Sequence, residues 1–92
     1  EDYIDFQFEF DNKNYICELK PSDDQNEIKY AIQSAIGQIL RYSYDKNFDF
    51  KVIVFQNKPN RENTKFLEYL KNNHNIYYLY EESNGIFKGN IL

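Results

Sequence analysis

In 92 residues there is no tryptophan and no methionine, and there are only one cysteine, one histidine, two prolines and three glycines. The lone Cys17 has no partner for an internal disulfide, and by itself it cannot ligate zinc or an iron–sulfur cluster. His74, in Asn72-Asn73-His74-Asn75, would have to serve any Ser-His or Cys-His nucleophilic site. No serine or cysteine is marked as its partner, so a surface-loop histidine is the plainer reading. There is no phosphate-binding glycine loop, no dinucleotide fingerprint and no Cys/His metal spacing. The chain holds no apolar run of about eighteen residues and no basic-then-apolar leader, which excludes a membrane helix and predicts a cytoplasmic protein. It opens at Glu1 directly into a strand pattern, so the expectation is a single domain over 1–92 taken from a longer protein, with flanking domains as partners.

A net charge of −4 argues against a general nucleic-acid coat, because phosphate binding draws on clustered Lys and Arg. The distribution matters more than the sum. Residues 1–24 hold eight acids against Lys13 and Lys20, whereas residues 51–71 hold Lys51, Lys58, Arg61, Lys65 and Lys71 against Glu62 and Glu68. The first block suits cations and the second suits phosphates, although a solvated surface is the plainer account of any single charge.

Residues 3–10 alternate, with Phe6, Phe8 and Phe10 on one face and Asp5, Gln7 and Glu9 on the other, the period of a half-buried strand. Asp11 to Asn14 reads as a turn, and 15–20 as the return strand. A turn centred on Asn12-Lys13 would pair Phe10 with Tyr15, Phe8 with Cys17, Phe6 with Leu19 and Asp5 with Lys20. Asp5, Gln7, Glu18 and Lys20 would then share a face, with Asp5 and Glu18 as diagonal neighbours. A slip of one residue would scatter them.

Pro21 stops the strand, and Ser22-Asp23-Asp24 offers caps for a helix over about 24–44. Its stripe of Ile28, Ala31, Ile32, Ala35, Ile36 and Ile39, with Leu40 at the edge, fits a helix lying on a sheet. Gln38 and Tyr42 fall on or beside that stripe, one turn apart. Gly37 costs roughly 1 kcal/mol in a helix, and close approach to a strand or ligand is the expected return. Phe50–Phe55 reads as a strand buried on both faces, joined by a right-handed crossover and so parallel to 15–20. A second helix is predicted over 61–73, capped by Asn60 and burying Phe66, Leu67 and Leu70, with Tyr69 at its margin. A strand at 76–80, a turn at Ser83-Asn84-Gly85 and a short strand at Ile86-Phe87 complete the pattern. Cys17, on the Phe/Leu face of the hairpin, reads as core.

The constellation with chemistry is Asp5 followed thirteen positions later by Glu18-Leu19-Lys20. Two carboxylates sharing a face repel unless a cation lies between them. Mg²⁺ prefers oxygen ligands and takes one or two carboxylates, and such an ion eases deprotonation of water and neutralises charge on a phosphate oxygen. Lys20 would orient that water, and the Leu19 carbonyl is a further candidate ligand. Each part has a plainer account: Glu-x-Lys on a strand is usually an exposed ion pair worth at most about 1 kcal/mol, and Tyr42 would serve as core with its hydroxyl at the rim.

The combination resembles the PD-(D/E)XK nuclease superfamily, the restriction-endonuclease-like fold. Asp5 stands where that family has the Asp that opens its second core strand, Glu18-Leu19-Lys20 where it has Glu-x-Lys, and Gln38-Ile39-Leu40-Arg41-Tyr42 where a following helix carries Gln-x-x-x-Tyr. The resemblance covers roughly residues 3–56. It departs at Ile4, where Pro is common, and in having no counterpart of the family's first helix and strand ahead of Glu1.

The expected fold is therefore α/β, a restriction-endonuclease-like mixed sheet flanked by helices and lacking the leading helix and strand. The resemblance implies Mg²⁺- or Mn²⁺-dependent hydrolysis of DNA. Asp5, Glu18 and Leu19 would be at the metal, Lys20 at the nucleophile, and Gln38 and Tyr42 would support them. Lys51, Lys58, Arg61 and Lys65 are candidates for backbone contacts that position the duplex. The rival is a non-catalytic member of the same fold that binds nucleic acid or protein, with an exposed first-strand edge inviting another chain. Oligomeric state is open, a homodimer included.

Overall fold

A hairpin, two helices that each cross over between parallel strands, and a closing hairpin give a computed structural model that describes residues 4–20 and 24–91, with Ile4, Asp5, Phe6 and Asp45 described by backbone alone. The elements are β1 (Ile4–Phe10), β2 (Lys13–Lys20), α1 (Gln25–Asp45), β3 (Phe50–Phe55), α2 (Arg61–His74), β4 (Ile76–Ser83) and β5 (Ile86–Gly89). They form one mixed sheet in the order β1-β2-β3-β4-β5. β1 runs antiparallel to β2, β2, β3 and β4 are parallel, and β5 returns antiparallel to β4. The expected α/β class and the parallel crossover are both present.

The expected hairpin register is corrected by two residues. Phe10 pairs with Lys13, Phe8 with Tyr15, Phe6 with Cys17 and Asp5 with Glu18. The turn is Asp11-Asn12, both at positive φ (56° and 64°), as a two-residue hairpin of the favoured twist requires. Asp and Asn accept that conformation better than the Lys of an Asn12-Lys13 turn would. An even shift preserves the alternation of faces, so the face assignments survive.

Asp24 caps α1, its carboxylate accepting the Glu27 N–H at 2.9 Å, and Asn60 caps α2 by accepting from Asn63 at 2.9 Å. Pro21, Ser22 and Asp23, expected to end the strand and cap the helix, lie outside the described residues. Both helices bury their stripes against a single face of the sheet. Ile28, Ile32, Ala35 and Ile39 of α1 and Leu67 and Leu70 of α2 meet Ile53, Phe55, Ile76, Tyr78 and Tyr80. The sheet is therefore not flanked on both sides. Its parallel strands advance in one direction, from β2 to β3 to β4, and two successive crossovers of the same hand place both helices on the same side.

Several residues depart from the expected core. Leu40 is exposed, and so is Phe66, which lines a groove of about 340 Å³ between α1 and α2 with Lys29, Ile32 and Gln33. Phe66 stacks instead on Tyr69, with ring centroids 6.1 Å apart. Gly37 is exposed, and a Cβ placed on it would meet nothing within 4 Å, so no close approach explains it. On β3, Val52, Ile53 and Phe55 are buried while Phe50 and Val54 are half-buried.

The uncovered face carries a ladder of rings. Phe8 stacks on Tyr15 at 4.8 Å, Tyr15 on Phe50 at 4.8 Å, and Phe50 meets Tyr77 tilted at 5.8 Å. Cys17 and Val52 are buried in the neighbouring row of that face. At the far edge, β5 is held close to β4: a Cβ on Gly89 would fall on the Tyr78 carbonyl oxygen, so only glycine fits there.

Candidate active site beneath helix α1

Ile16, Glu18 and Lys20 alternate along β2 on the helix-covered face, and all three are buried. Glu18 is 0% and Lys20 1% exposed, which overturns the expectation of an exposed ion pair. Their charged groups lie 3.9 Å apart, a charge pairing longer than a hydrogen bond. Lys20 Nζ donates to Ser34 Oγ at 3.3 Å and to Gln38 Oε1, both on α1. A long flexible side chain is thus fixed at its tip by two acceptors one helical turn apart.

Asp5 is the direct cross-strand partner of Glu18, closer than the diagonal placement expected from the sequence. Directly opposed residues share a face and are nearest neighbours across the pair. The register thus brings position 5 to Glu18, while the Asp5 carboxylate itself lies outside the description.

Gln38 sits where the sequence placed it. Tyr42 is half-buried one turn further along the same helix row. Ser34 was missed, and the signal was available: it lies four residues before Gln38, so Ser34, Gln38 and Tyr42 form one i, i+4, i+8 row. Leu19, between Glu18 and Lys20, points its half-buried side chain to the opposite face and could contribute only backbone.

Cys17, next to Glu18, has its thiol pushed up to about 11, chiefly by burial and further by the Glu18 charge. It is held as a neutral thiol at ordinary pH and is not a nucleophile. His74 is exposed, with its ring edge-on to Tyr69 at 5.6 Å, and takes no part in the site.

The four basic candidates divide. Lys58, Arg61 and Lys65 line one open cavity of about 730 Å³ with Asn60, Thr64 and Glu68. Lys51 is apart from them, half-buried at the start of β3, the end of that strand remote from the loop that carries Lys58. This cavity is not at the Glu18–Lys20 pair. It follows β3 directly, however, and the last residue of β3, Phe55, is the register partner of Lys20.

Asp5 and Glu18, opposed in register, are residues of the hard-oxygen type that suits Mg²⁺ or Mn²⁺. Among the described side chains no group of three His, Cys, Asp or Glu is close enough to hold an ion, so such a site depends on Asp5 joining Glu18. No helix among the described residues is long and apolar enough to cross a membrane. Comparison with family models, with curated proteins and with solved structures finds no match for the chain.

Proposed function

We propose that the chain is a metal-dependent nuclease domain of the PD-(D/E)XK type that hydrolyses DNA phosphodiesters. The observation that carries this reading is the convergence of Glu18, Lys20 and Gln38 from a strand and a helix, with position 5 in register opposite Glu18 on the neighbouring strand. Asp5 and Glu18 are the residues to hold the ion, with the Leu19 carbonyl as a further donor. A bound divalent ion supplies charge neutralisation at the phosphate and eases deprotonation of the attacking water. Lys20 places a positive charge beside the acids, and Ser34 and Gln38 hold its tip in a fixed direction, the pre-organisation that a reacting phosphate requires. Tyr42 supports the helix row that carries them.

The full burial of Glu18 and Lys20 favours a second reading, a non-catalytic domain of similar architecture in which the pair serves the core. In the conformation described, a substrate phosphate reaches neither residue unless α1 and the hairpin separate.

The deciding experiment uses near-isosteric changes, because alanine at either position would strand a buried charge. Glu18→Gln, Lys20→Met and the double variant, verified as folded by circular dichroism, are compared with wild type for Mg²⁺ or Mn²⁺ binding by calorimetry and for plasmid cleavage. The nuclease reading expects wild-type cleavage and a fall of orders of magnitude in each variant. Cleavage at the wild-type rate by the Glu18→Gln protein would remove it, and a wild type that neither binds metal nor cleaves would establish the second reading.

A further inference from the structure

We infer that the cavity between the β3–α2 loop and the first two turns of α2 is a phosphate subsite, separate from the Glu18–Lys20 pair and built from Lys58, Arg61 and Lys65. In a chain of net charge −4, three cations converge on one concavity of about 730 Å³. All three are exposed, and none is in an ion pair among the described residues. The one carboxylate on the cavity wall, Glu68, accepts instead from Asn90 Nδ2 at 3.3 Å. Arg61 and Lys65 are four residues apart on α2, so they are neighbours on its surface, and Lys58 approaches from the loop. Like charges gathered this way repel one another, and an anion among them relieves that repulsion.

The cluster is also held in place. Gln25 of α1 donates from Nε2 to the Lys58 carbonyl at 3.0 Å and accepts the Asn60 N–H at 2.7 Å, and Asn63 Nδ2 donates to the Gln25 carbonyl at 3.2 Å. The loop carrying Lys58 is thereby tied to the first turn of the helix that covers Glu18 and Lys20. A neutral donor is at hand as well: Asn60 uses its side-chain oxygen for the α2 cap, which leaves its amide nitrogen to donate, whereas the Thr64 hydroxyl is engaged with the Pro59 carbonyl at 3.3 Å. A compact group with several acceptor oxygens and negative charge fits this lining, and phosphate has that chemistry.

The assignment of the phosphate to a DNA strand rests on the nuclease reading. Because the loop leaves β3 immediately after the register partner of Lys20, the subsite is placed to hold a phosphate other than the one attacked. That phosphate is either an internal diester or a terminal monoester.

The test is binding of a short fluorescein-labelled DNA oligonucleotide across a salt series in the presence of chelator, so that no cleavage intervenes. Wild type is compared with Lys58→Ala, Arg61→Ala, Lys65→Ala, their triple combination, and, as the control, Lys88→Ala on β5 at the far edge of the sheet. Each of the three changes is expected to lower the slope of log affinity against log salt by about 0.7–0.9, and the triple by about 2–3. The triple variant should bind at least about tenfold more weakly at low salt, while Lys88→Ala leaves slope and affinity unchanged. Oligonucleotides with a 5′-phosphate and a 5′-hydroxyl separate the two sources: equal affinity identifies a diester, and selective loss without the terminal phosphate identifies a monoester. A triple variant that keeps the wild-type slope and affinity overturns the subsite, as does a wild type that does not bind DNA. A lowered slope without any metal-dependent cleavage would keep the subsite and remove the nuclease reading. Cleavage with an unchanged slope would do the reverse.

Discussion

On one face of β2, Glu18 and Lys20 are sealed beneath α1; on the other, Tyr15 stands in a ring ladder whose outer member, Phe8, is 45% exposed. The charged residues are inside and the aromatic ones are on the open side, the reverse of what side-chain hydrophobicity alone would choose. Topology decides the matter. The helices must lie on the face reached by successive right-handed crossovers, and the charges on that face are tolerated because Lys20 finds Glu18, Ser34 and Gln38. The open face is stabilised differently, by rings packed against one another, with Lys71 Nζ 5.8 Å from the centre of the Tyr77 ring at the end of the ladder.

The sharpest way to break this comparison is to unbalance the buried pair. Lys20→Ala removes the cation 3.9 Å from the buried Glu18 carboxylate and is expected to cost about 3–5 kcal/mol in urea denaturation, enough to unfold a marginal domain. The double variant Glu18→Gln/Lys20→Met should recover most of that loss. A Lys20→Ala protein as stable as wild type would mean that the pair is solvated and that α1 does not seal it.

Between the two faces lies Cys17, and pH probes it. Its thiol ionises near 9.0 when unconstrained and at about 11 in the fold. The contribution is fully present below pH 9 and is lost as pH rises through about 11, because the unfolded chain releases its proton first. About 3 kcal/mol of stability should disappear over that window, measurable as a falling denaturation midpoint that Cys17→Ala flattens.

A smaller effect tests the ladder. Tyr15→Leu keeps apolar bulk but removes the stacking on Phe8 and Phe50, for an expected loss on the order of 1 kcal/mol. A cost equal to that of Lys20→Ala would make the open face the organising one. The smallest change is favourable: Gly37→Ala, exposed and with open space at the Cβ, should raise stability by up to about 1 kcal/mol in thermal melts.

Much of this was legible in the chain because periodicity survives small errors. The stripe Ile28, Ile32, Ala35, Ile39 determined which side of α1 is buried, and the alternation along β2 determined which residues share a face with Glu18. Turn chemistry was underweighted, since the need for two positive φ values favours Asp11-Asn12 over Asn12-Lys13. The burial of Glu18 and Lys20 was not legible, because Glu-x-Lys is the same three letters on a covered strand as on an exposed one. What distinguishes them is Ser34 and Gln38 on a helix that topology brings overhead.

The two edges of the sheet are unequal. β5 is four residues long, is irregular in pairing between Glu81 and Ser83, and ends in the close approach at Gly89. β1 is seven residues of unbroken register with no bulge and no lysine or proline, the devices that usually blunt an edge. The sheet consequently has a direction of growth. A further strand would find a regular backbone template beside β1 and only a short, irregular one beside β5.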